Sequence, residues 1–476
     1  MMKQYDLIII GGGAGGLTVA SGAASLGAEV ALIEKREDLG GDCLHFGCVP
    51  SKSLIEAANE IHHARSVSKY GLHASGEVDL KAINQRVKES ISHIQEHDSI
   101  ERFEELGIDV YIGGASFRND HEVEIENHDD PIFGKRIVIA TGSRPNVPPI
   151  EGLKDTGYLT NETVFDLEHL PKKMVFIGGG PIGLEIAQAY ARLGSEVTVL
   201  EAGPGVLGKE DQDIQQKAQE ILERELTIIT NANVEKTSRS GEQNYVHYSV
   251  NNEEHKLEAD QIFLATGRKP NTDSLKLEQA GVEMNERGFV NVDETLRTNV
   301  GHIFAIGDVN GTPPFTHVAG YEGKTVVQNA IFGLSRKASY DLIPWNTYIT
   351  PEVFHLGLTQ KEAQEKHDGV LLYHTDLADV DRFVADHKTE GFIKIITDTK
   401  GHILGAHAIG KGAGDWMQVA ILAVEKGMKI GELSSMIYPY PNHTAAIERS
   451  SNEYWRSKLF SGVVPSITEK YIKWFR

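Results

Sequence analysis

The chain has 476 residues, of which 40% are hydrophobic and 24% are charged, and its formal net charge is −21. This length predicts about three globular domains, and the negative charge excludes nucleic acid as an expected partner because it repels phosphate backbones. The apolar runs are too short to span a bilayer, and the first residues lack the pattern of a signal peptide. The chain has only 2 cysteines, too few for the disulfide framework of a secreted protein, so we expect a cytoplasmic protein.

The N-terminal segment YDLIIIGGGAGGLTVASGAASLGAEVALIEK predicts a strand, a glycine-rich turn, a helix and a second strand. Gly11, Gly13 and Gly16 form the pattern G-x-G-x-x-G, and Glu34 stands at the end of the second strand. Such glycines allow a tight turn and let a pyrophosphate approach the helix N-terminus, while the acidic residue accepts hydrogen bonds from ribose hydroxyls. The segment therefore predicts a dinucleotide-binding site.

Both cysteines lie shortly after this motif, in the segment GGDCLHFGCVPSK. Cys43 and Cys48 are separated by four residues, which differs from the C-x-x-C spacing of zinc ribbons, and no second ligand pair follows. A structural disulfide across so short a loop would add little stability and would not persist in a reducing cytosol. A pair of inert buried thiols is one interpretation. We favour a redox-active disulfide, with Lys52 nearby, that receives electrons from a nicotinamide cofactor through a flavin.

The segment KKMVFIGGGPIGLEIAQAYARLGSEVTVLEA repeats the first motif. Here Gly178, Gly180 and Gly183 provide the glycine pattern, and Glu201 follows at the same distance as in the first copy. No arginine or lysine follows Glu201 before Lys209. Because the carboxylate would repel a 2′-phosphate and bind a bare ribose, we expect NADH as the cofactor and NADPH as the less favoured one.

Three further segments predict strands that end near the nucleotides. RIVIATGSRPNVPPI and QIFLATGRKPNTDSL each run an apolar strand into Ala-Thr-Gly and then a basic residue and proline, which makes Thr141, Gly142 and Gly267 candidate cofactor contacts. HIFAIGDVNG places Asp308 at the carboxyl end of a strand, where open α/β sheets bind ligands. A turn or helix-cap role is the alternative for Asp308.

The pattern changes from about Pro344. GFIKIITDTKGHILGAHAIG alternates like an antiparallel hairpin, and DWMQVAILAVEKGM has the pattern of an amphipathic helix, so we expect an α+β domain. The tail WRSKLFSGVVPSITEKYIKWFR mixes basic and aromatic residues, as a membrane-surface or partner segment does. Proline and glycine interrupt this tail, which favours a terminal packing segment.

Together and in this order, the motifs GGGAGG, GGDCLHFGCVPSK, ATGSRP, GGGPIGLE, ATGRKPN, AIGDV and TPEVFHLGLT resemble the class I pyridine nucleotide–disulfide oxidoreductases. That family includes dihydrolipoamide dehydrogenase, glutathione reductase and mercuric reductase, and the resemblance covers nearly the whole chain. It implies an α/β fold with two Rossmann-like dinucleotide-binding domains and a C-terminal α+β dimerisation domain. The expected boundaries are 1–152 and 274–343 for the FAD-binding domain, 153–273 for the NAD-binding domain and 344–476 for the domain that forms a homodimer.

The same resemblance implies roles for individual residues. Cys48 would lie against the flavin and Cys43 would meet the substrate, while Lys52 and Glu185 would form an ion pair where hydride arrives. The residues expected to contact FAD or NADH are Gly11, Gly13, Gly16, Glu34, Lys52, Thr141, Gly142, Asp308, Gly178, Gly180, Gly183, Glu201 and Gly267.

Two positions depart from the family. In YPYPNHTAAIER, aligned on the proline, Tyr440 stands where dihydrolipoamide dehydrogenases have a catalytic histidine and Ala445 where they have its glutamate partner. A tyrosine with a pKa near 10 is a poor base at neutral pH; His443 is the alternative base, although a shift along a helix usually turns a side chain away. Asp42 replaces a threonine and would raise the pKa of Cys43, unless it points away as a turn residue.

These features predict an FAD-dependent NADH:disulfide oxidoreductase, whose acceptor is a lipoyl group, free or on a carrier protein, or another low-molecular-weight disulfide. The alternatives are a metal or quinone reductase similar to mercuric reductase, and a redox-sensing flavoprotein with little disulfide turnover. A C-terminal cysteine pair and an N-terminal metal-binding module are missing, which disfavours reduction of Hg(II). We expect no resident metal, because His62, His63, His93 and His97 lack carboxylates or cysteines that would complete a ligand set.

Overall fold

The computed structural model describes residues 2–461 and 463–476, which divide into two compact units. The first unit consists of Met1–Gly178, Ala189–Leu200 and Asn233–Ser339. The second unit consists of Gly179–Gln188, Glu201–Ala232 and Tyr340–Arg476.

A parallel five-stranded sheet forms the centre of the first unit. Its strands are nearly all apolar and buried, as expected of a parallel sheet covered on both faces. In spatial order they are Ile303–Ala305, Ile137–Ile139, Leu7–Ile10, Val30–Glu34 and Ile108–Ile112. The helices Ala14–Ser25 and Thr316–Ile331 pack against each other on one face, where Gly22 leaves room for Val327.

The second glycine motif forms the predicted order of strand, glycine turn, helix and strand. Strand Lys173–Ile177 leads into helix Pro181–Leu193, and strand Glu196–Leu200 then pairs with Lys173–Ile177 in parallel. Strand Gln261–Leu264 pairs in parallel on the other side of Lys173–Ile177. The chain therefore contains the predicted βαβ unit twice.

The remaining elements of the first unit surround these sheets. The strands form one four-stranded, one three-stranded and one two-stranded sheet: Gln4–Tyr5, Ile132–Gly134, Glu122–Ile125 and Ala115–Phe117; Asn233–Ser240, Gln243–Val250 and Glu253–Ala259; Arg268–Pro270 and Ser143–Pro145. The further helices and 3₁₀ turns are Gly41–His45, Cys48–Ser66, Val67–Tyr70, Leu80–Gln95, Glu96–Asp98, Ile100–Glu105, Leu153–Thr156, Val164–Asp166, Leu277–Ala280 and Gly307–Asn310.

The second unit is built on an antiparallel five-stranded sheet. Its order is Pro344–Thr347, Glu352–Gly357, Ile403–Gly410, Phe392–Asp398 and Val370–Asp376. Helices cover the sheet and close a core around Phe354, Phe383, Ile395 and Met417. The other elements are Gln212–Leu222, Thr227–Ile229, Gln360–Lys366, Leu377–Asp379, Asp381–Ala385, Ala413–Trp416, Gln418–Glu425, Ile430–Leu433, Ala445–Leu459 and Val464–Phe475.

The predicted fold class is confirmed: two parallel-sheet βαβ regions are followed by an α+β region. Within the described residues, none of the helices has the length and apolar character needed to cross a membrane. The expectation that the C-terminal tail packs holds for Trp455, whose indole N–H donates to the carbonyl of Gly431 at 2.8 Å. It is wrong for helix Val464–Phe475 of the single chain, which has no buried residue among those that the structure describes.

Candidate redox-active site

The first glycine loop has a backbone that only glycine can adopt. Gly11 has φ +114°, and a Cβ there would lie 2.3 Å from the carbonyl oxygen of Ala140. A Cβ on Gly16 would lie 1.9 Å from the carbonyl oxygen of Gly11. Helix Ala14–Ser25 follows Gly13 with no side chain capping its N-terminus, so its first N–H groups are available to an anion.

Glu34 is held beside this loop at the end of strand Val30–Glu34. Its Oε2 accepts a hydrogen bond of 2.7 Å from the backbone N–H of Gly12, and its Oε1 accepts one of 3.1 Å from that of Arg36. Each carboxylate oxygen has two lone pairs and keeps one for a further donor. The side chain is therefore held in place with acceptor capacity left for a further donor.

The second glycine loop repeats this geometry. Gly178 has φ +110°, and a Cβ there would lie 2.4 Å from the carbonyl oxygen of Ala265. Glu201 accepts a hydrogen bond of 2.6 Å from the N–H of Gly179 and one of 2.7 Å from that of Gly203. Gly180 and Gly183 lie at the start of the following helix, Pro181–Leu193. The two acidic residues thus make equivalent bonds in the two copies.

The two Ala-Thr-Gly segments meet in the structure. Thr141 and Gly142 precede strand Ser143–Pro145, Gly267 precedes strand Arg268–Pro270, and these two strands pair antiparallel. Gly142 has φ +66° and Gly267 has φ +96°, so both turns use conformations that favour glycine. Three predicted cofactor contacts therefore lie at one place in the fold.

Asp308 lies next to this pair of strands and is bound by Arg268. The Ser143 hydroxyl donates to Asp308 Oδ2, and Nε of Arg268 lies 3.5 Å from the same oxygen. The Arg268 side chain is only 15% exposed and also donates to the Ser143 hydroxyl at 2.6 Å. Sequence analysis missed Arg268 as a site residue, although the basic residue after each Ala-Thr-Gly was the signal that marks it.

Arg268 also forms an ion pair with Asp42, the acidic residue beside Cys43. Its Nη2 lies 3.1 Å from Oδ2 of Asp42, and the Asn161 amide donates to Oδ1 at 3.4 Å. The carboxylate is therefore compensated by a guanidinium. Asp42 lies in helix Gly41–His45 rather than in a turn, and its carboxylate is engaged by Arg268 and Asn161.

The cysteine segment is bound directly to the first glycine loop. The N–H of Gly40 donates to the carbonyl of Gly12 at 2.8 Å. Gly41 approaches so closely that a Cβ on it would lie 2.7 Å from Cα of Gly13. Gly40 and Gly41 both have positive φ, 108° and 62°, which makes the tight turn into the helix that carries Cys43. The loop expected to bind a pyrophosphate and the segment with the thiols are thus one rigid arrangement.

No disulfide joins Cys43 and Cys48 in this structure, and their side chains are hydrogen-bonded to each other. That hydrogen bond, followed by burial, raises the pKa of the Cys43 thiol. Cys48 is the first residue of the 19-residue helix Cys48–Ser66, and its sulfur lies 3.6 Å from the hydroxyl of Thr316. A helix N-terminus stabilises a thiolate. In the reduced pair, Cys43 therefore keeps its proton while Cys48 lies where a thiolate is favoured.

Lys52 and Glu185 lie in different units. Lys52 is one turn beyond Cys48 on the same helix, and its ammonium donates to the hydroxyl of Ser51 at 3.3 Å. Glu185 is 6% exposed and accepts a hydrogen bond of 2.7 Å from the N–H of Tyr348. The ion pair between Lys52 and Glu185 stays a prediction.

Both candidate bases are bound by carboxylates in the second unit. Tyr440 is 80% exposed and donates to Oδ2 of Asp381 at 2.9 Å, and this hydrogen bond raises the pKa of Tyr440. Nε2 of His443 lies 3.0 Å from Oδ2 of Asp386. Lys411, and then His443, lower the pKa of Asp386 to about 2, so this carboxylate stays ionised. Tyr440 is therefore a hydrogen-bond donor at neutral pH, and one nitrogen of His443 is already occupied.

Comparison with family models matches almost the whole chain. The model described as pyridine nucleotide-disulphide oxidoreductase matches residues 5–323. The model described as the dimerisation domain of the same oxidoreductases matches residues 343–451.

Relatives of two kinds are similar to the chain. A mercuric reductase of Lysinibacillus sphaericus is 36% identical over 440 residues, which cover 92% of this chain and 80% of the relative. A dihydrolipoyl dehydrogenase of Bacillus subtilis is 35% identical over 445 residues, 92% of this chain and 94% of the relative. Among solved structures, the Cu(II) complex of the HOCl-induced flavoprotein disulfide reductase RclA from Escherichia coli has a TM-score of 0.83 at 30% identity, covering 93% of this chain and 98% of that one.

Proposed function

The chain belongs to the pyridine nucleotide-disulphide oxidoreductases, and from this membership we propose that it is an FAD-dependent NADH:disulfide oxidoreductase. The observation that carries the proposal is the adjacent pair of cysteines, Cys43 and Cys48, on a segment that is bound to the first glycine loop. We propose a homodimer, since the family match includes a dimerisation domain, and a reducing cytosol as its location. The acceptor is a lipoyl group or another low-molecular-weight disulfide.

The residues of the first glycine loop fit FAD, which the family implies. The uncapped N-terminus of helix Ala14–Ser25, the absence of Cβ atoms at Gly11 and Gly16, and the fixed carboxylate of Glu34 form a cradle of the kind that binds a dinucleotide. The second glycine loop, whose Gly179 N–H is bound by Glu201, suits NADH. When bound, FAD supplies the two-electron step between the nicotinamide and the disulfide.

The two cysteines have different roles in the transfer of electrons to the disulfide acceptor. Two electrons and one proton convert the Cys43–Cys48 disulfide into a Cys48 thiolate and a Cys43 thiol. After losing its proton, Cys43 attacks one sulfur of the acceptor, which breaks the acceptor S–S bond and forms a mixed disulfide. Cys48 then attacks Cys43, the Cys43–Cys48 disulfide forms again, and the second acceptor thiol leaves. The raised pKa of Cys43 makes its deprotonation the step that needs a base.

A soft metal ion is the second candidate acceptor, and Tyr440 is the observation that favours it. Tyr440 is a donor bound to Asp381 rather than a base. A thiophilic ion displaces protons from thiols by coordination, so it depends less on a base than a disulfide does. Oxidation of the two thiolates to the disulfide would release two electrons, enough to reduce one Hg(II) to Hg(0) or two Cu(II) to two Cu(I). The mercuric reductases and the Cu(II) complex among the similar proteins support this alternative.

An acceptor panel tests the proposal. The FAD-loaded enzyme is mixed with NADH, without oxygen, and with lipoamide, glutathione disulfide, a quinone, Cu(II) or Hg(II) at equal concentration. We expect disulfide-dependent oxidation of NADH that disappears in a Cys43→Ser variant. Oxidation of NADH only with metal ions would replace the first candidate by the second. Turnover with a quinone that survives Cys43→Ser would contradict both, because it would bypass the cysteine pair.

The choice of nicotinamide cofactor can be tested at Glu201. We expect kcat/KM to be at least about tenfold higher for NADH than for NADPH, a difference of about 1.4 kcal/mol, because the carboxylate repels a 2′-phosphate. Glu201→Gln keeps an acceptor oxygen and removes the charge, so it should narrow the ratio chiefly by improving NADPH. Steady-state kinetics with both cofactors measure this. Equal or better kcat/KM with NADPH in the wild type would contradict the prediction.

A further inference from the structure

A cluster of buried ligand-type side chains lies in the second unit, apart from every residue given a redox role above. Glu210, His355 and His407 are 5%, 1% and 0% exposed. Each contributes one nitrogen or carboxylate oxygen to a group of atoms that all lie within 4.8 Å of one another. Polar groups so deeply buried require partners of their own.

The hydrogen bonds of the two histidines orient the same nitrogen of each ring into the cluster. Nε2 of His355 lies 2.8 Å from the carbonyl oxygen of Gly357, and Nε2 of His407 lies 2.9 Å from that of Leu358. A carbonyl only accepts, so each Nε2 carries a proton. In a neutral ring Nδ1 of His407 then has a free lone pair, whereas Nδ1 of His355 is hydrogen-bonded to Glu210. Metal-binding histidines usually donate their other ring N–H to a carbonyl in this way.

Hydrogen bonding within the protein does not complete the cluster. Nδ1 of His407 is buried and has no hydrogen-bond partner among the described residues. Nδ1 of His355 lies 2.9 Å from Oε2 of Glu210. The Nδ1 lone pair of His407 therefore faces the carboxylate of Glu210 and the ring of His355, and no described residue forms a hydrogen bond with it.

Trp345 holds the carboxylate of Glu210 through the oxygen that does not face His355. Its indole N–H donates to Oε1 of Glu210 at 2.6 Å, and its ring is stacked on His355 with centroids 3.5 Å apart. One oxygen of Glu210 is thus oriented by a donor and the other is directed to the imidazoles. Outer contacts of this kind hold metal ligands in position.

We propose that Glu210, His355 and His407 bind one Zn²⁺ ion. Two imidazole nitrogens and one carboxylate oxygen are a donor set that Zn²⁺ accepts, and Cu²⁺ would compete for it. Rotations of the side chains bring the three atoms to about 2.0–2.2 Å from a shared ion. The ion joins strands Glu352–Gly357 and Ile403–Gly410 to the segment that carries Glu210. The proposal rests on these residues alone and stands independently of the proposed function.

The test removes the competing thiolates first. In the FAD-loaded full chain with Cys43→Ser and Cys48→Ser, we expect about one Zn²⁺ per chain by elemental analysis after dialysis, and a melting temperature that falls by a few degrees when a chelator removes it. Adding His407→Gln should abolish both effects. Adding His374→Gln, an exposed histidine of the same unit, should leave both unchanged.

A second measurement covers the case in which His407→Gln does not fold. Co²⁺ titrated into the folded Cys43→Ser/Cys48→Ser protein should give the visible ligand-field bands of a low-symmetry nitrogen and oxygen site at about one equivalent, and excess Zn²⁺ should remove them. Less than about a tenth of an equivalent of either ion, or the same amount bound after His407→Gln, would overturn the proposal.

The C-terminal tail, residues 455–476, carries a second inference from a separate observation. Every described side chain of helix Val464–Phe475 is accessible, with Trp474 80%, Phe475 67% and Ile467 61% exposed. At helical spacing, these three side chains share a face with Tyr471, Lys470 borders that face beside Trp474, and Lys473 lies on the opposite side of the helix. The helix is therefore amphipathic, and no other described part of the single chain buries its apolar face.

Charge distinguishes this tail from the rest of the chain. It contains five cationic side chains and one carboxylate, in a protein whose net charge is −21: Arg456, Lys458, Glu469, Lys470, Lys473 and Arg476. The tail also lies beyond residue 451, where the match to the dimerisation domain ends. A basic, aromatic face on an acidic protein is complementary to an anionic surface with an apolar interior.

We infer that helix Val464–Phe475 binds the surface of an anionic lipid bilayer, with its aromatic face at the boundary between headgroups and acyl chains. Tyrosine and tryptophan are suited to that boundary because their rings combine an apolar body with a polar tip. The helix has 12 residues, so it lies on a membrane and cannot span one.

Sedimentation with vesicles tests this inference. We expect the FAD-loaded protein to sediment at least about tenfold more with vesicles of phosphatidylglycerol and phosphatidylcholine than with phosphatidylcholine alone, and high salt to reduce binding. Trp474→Ser/Phe475→Ser should abolish it, whereas Tyr70→Ser/Leu72→Ser, at exposed apolar positions elsewhere, should not. Equal binding to both kinds of vesicle, or no binding to either, would overturn this inference. If Trp474→Ser/Phe475→Ser changes only the mass of the oligomer, the inference is also wrong, and the apolar face of the helix is covered by a second copy of the chain.

Discussion

Cys48→Ser is expected to abolish NADH-dependent reduction of disulfides, with a loss on the order of 10³-fold or more, because the variant cannot form the disulfide that receives electrons. Cys48 begins helix Cys48–Ser66 and lies 3.6 Å from Thr316, a position that favours its thiolate. If Cys48 is the thiol in contact with the flavin, reduction of the wild type without oxygen should give a long-wavelength thiolate–flavin absorbance. That absorbance should be absent in Cys48→Ser.

Cys43→Ser is the matched control, since it removes the other thiol of the same pair. Turnover with a disulfide should be lost to the same extent, but the spectrum should change in the opposite way. Cys48 can no longer form a disulfide, and its thiolate should give the long-wavelength band in the oxidised enzyme as well. Anaerobic absorbance spectra of the two variants measure this difference. Unchanged spectra in both would mean that the cysteines do not act together with the flavin.

The fold was largely accessible from local sequence pattern. Positive φ at Gly11 and Gly178 and the equivalent bonds of Glu34 and Glu201 all belong to short segments in which chain order fixes the geometry. The glycine patterns therefore predicted both βαβ units. The alternation from Phe392 onward likewise predicted an antiparallel hairpin, since strand period and turn residues are local signals.

The site residues that sequence analysis missed depend on contacts between distant segments. Arg268 joins Asp42 and Asp308, which are separated by more than two hundred residues. Glu210 and His407 come together only when the second unit folds. A single sequence contains no periodic signal for such pairs. The tail was misjudged for a different reason: Pro465 lies in the first turn of helix Val464–Phe475, where proline is tolerated and does not interrupt it.

The last prediction concerns the base that dihydrolipoamide chemistry requires. The pKa of Cys43 is raised by its hydrogen bond to Cys48 and by burial, so its reactive thiolate is scarce at neutral pH. Tyr440 cannot take the proton, because its own pKa is raised by Asp381. We therefore expect slow lipoamide turnover at pH 7. The Cys43 thiolate is the nucleophile when the enzyme reduces lipoamide, and its fraction grows as pH rises toward the raised pKa, so lipoamide reduction should increase steadily between about pH 7 and pH 9. Oxidation of dihydrolipoamide should also rise with pH, because the attacking thiolate there is the substrate's own and forms without a base.

The double variant Tyr440→His/Ala445→Glu should restore part of the missing catalysis. Positioned bases contribute about 10²–10⁴-fold. Because position 440 is 80% exposed and would hold an imidazole loosely, we expect a gain of about tenfold or more at pH 7, with a flatter pH profile. Tyr440→Phe, which removes the hydroxyl without adding a base, is the control and should give no gain. His443→Ala should have little effect, since the resemblance places Tyr440 and not His443 at the position of the base. If the wild type turns lipoamide over rapidly at pH 7 and His443→Ala abolishes that turnover, the prediction is wrong and His443 is the base.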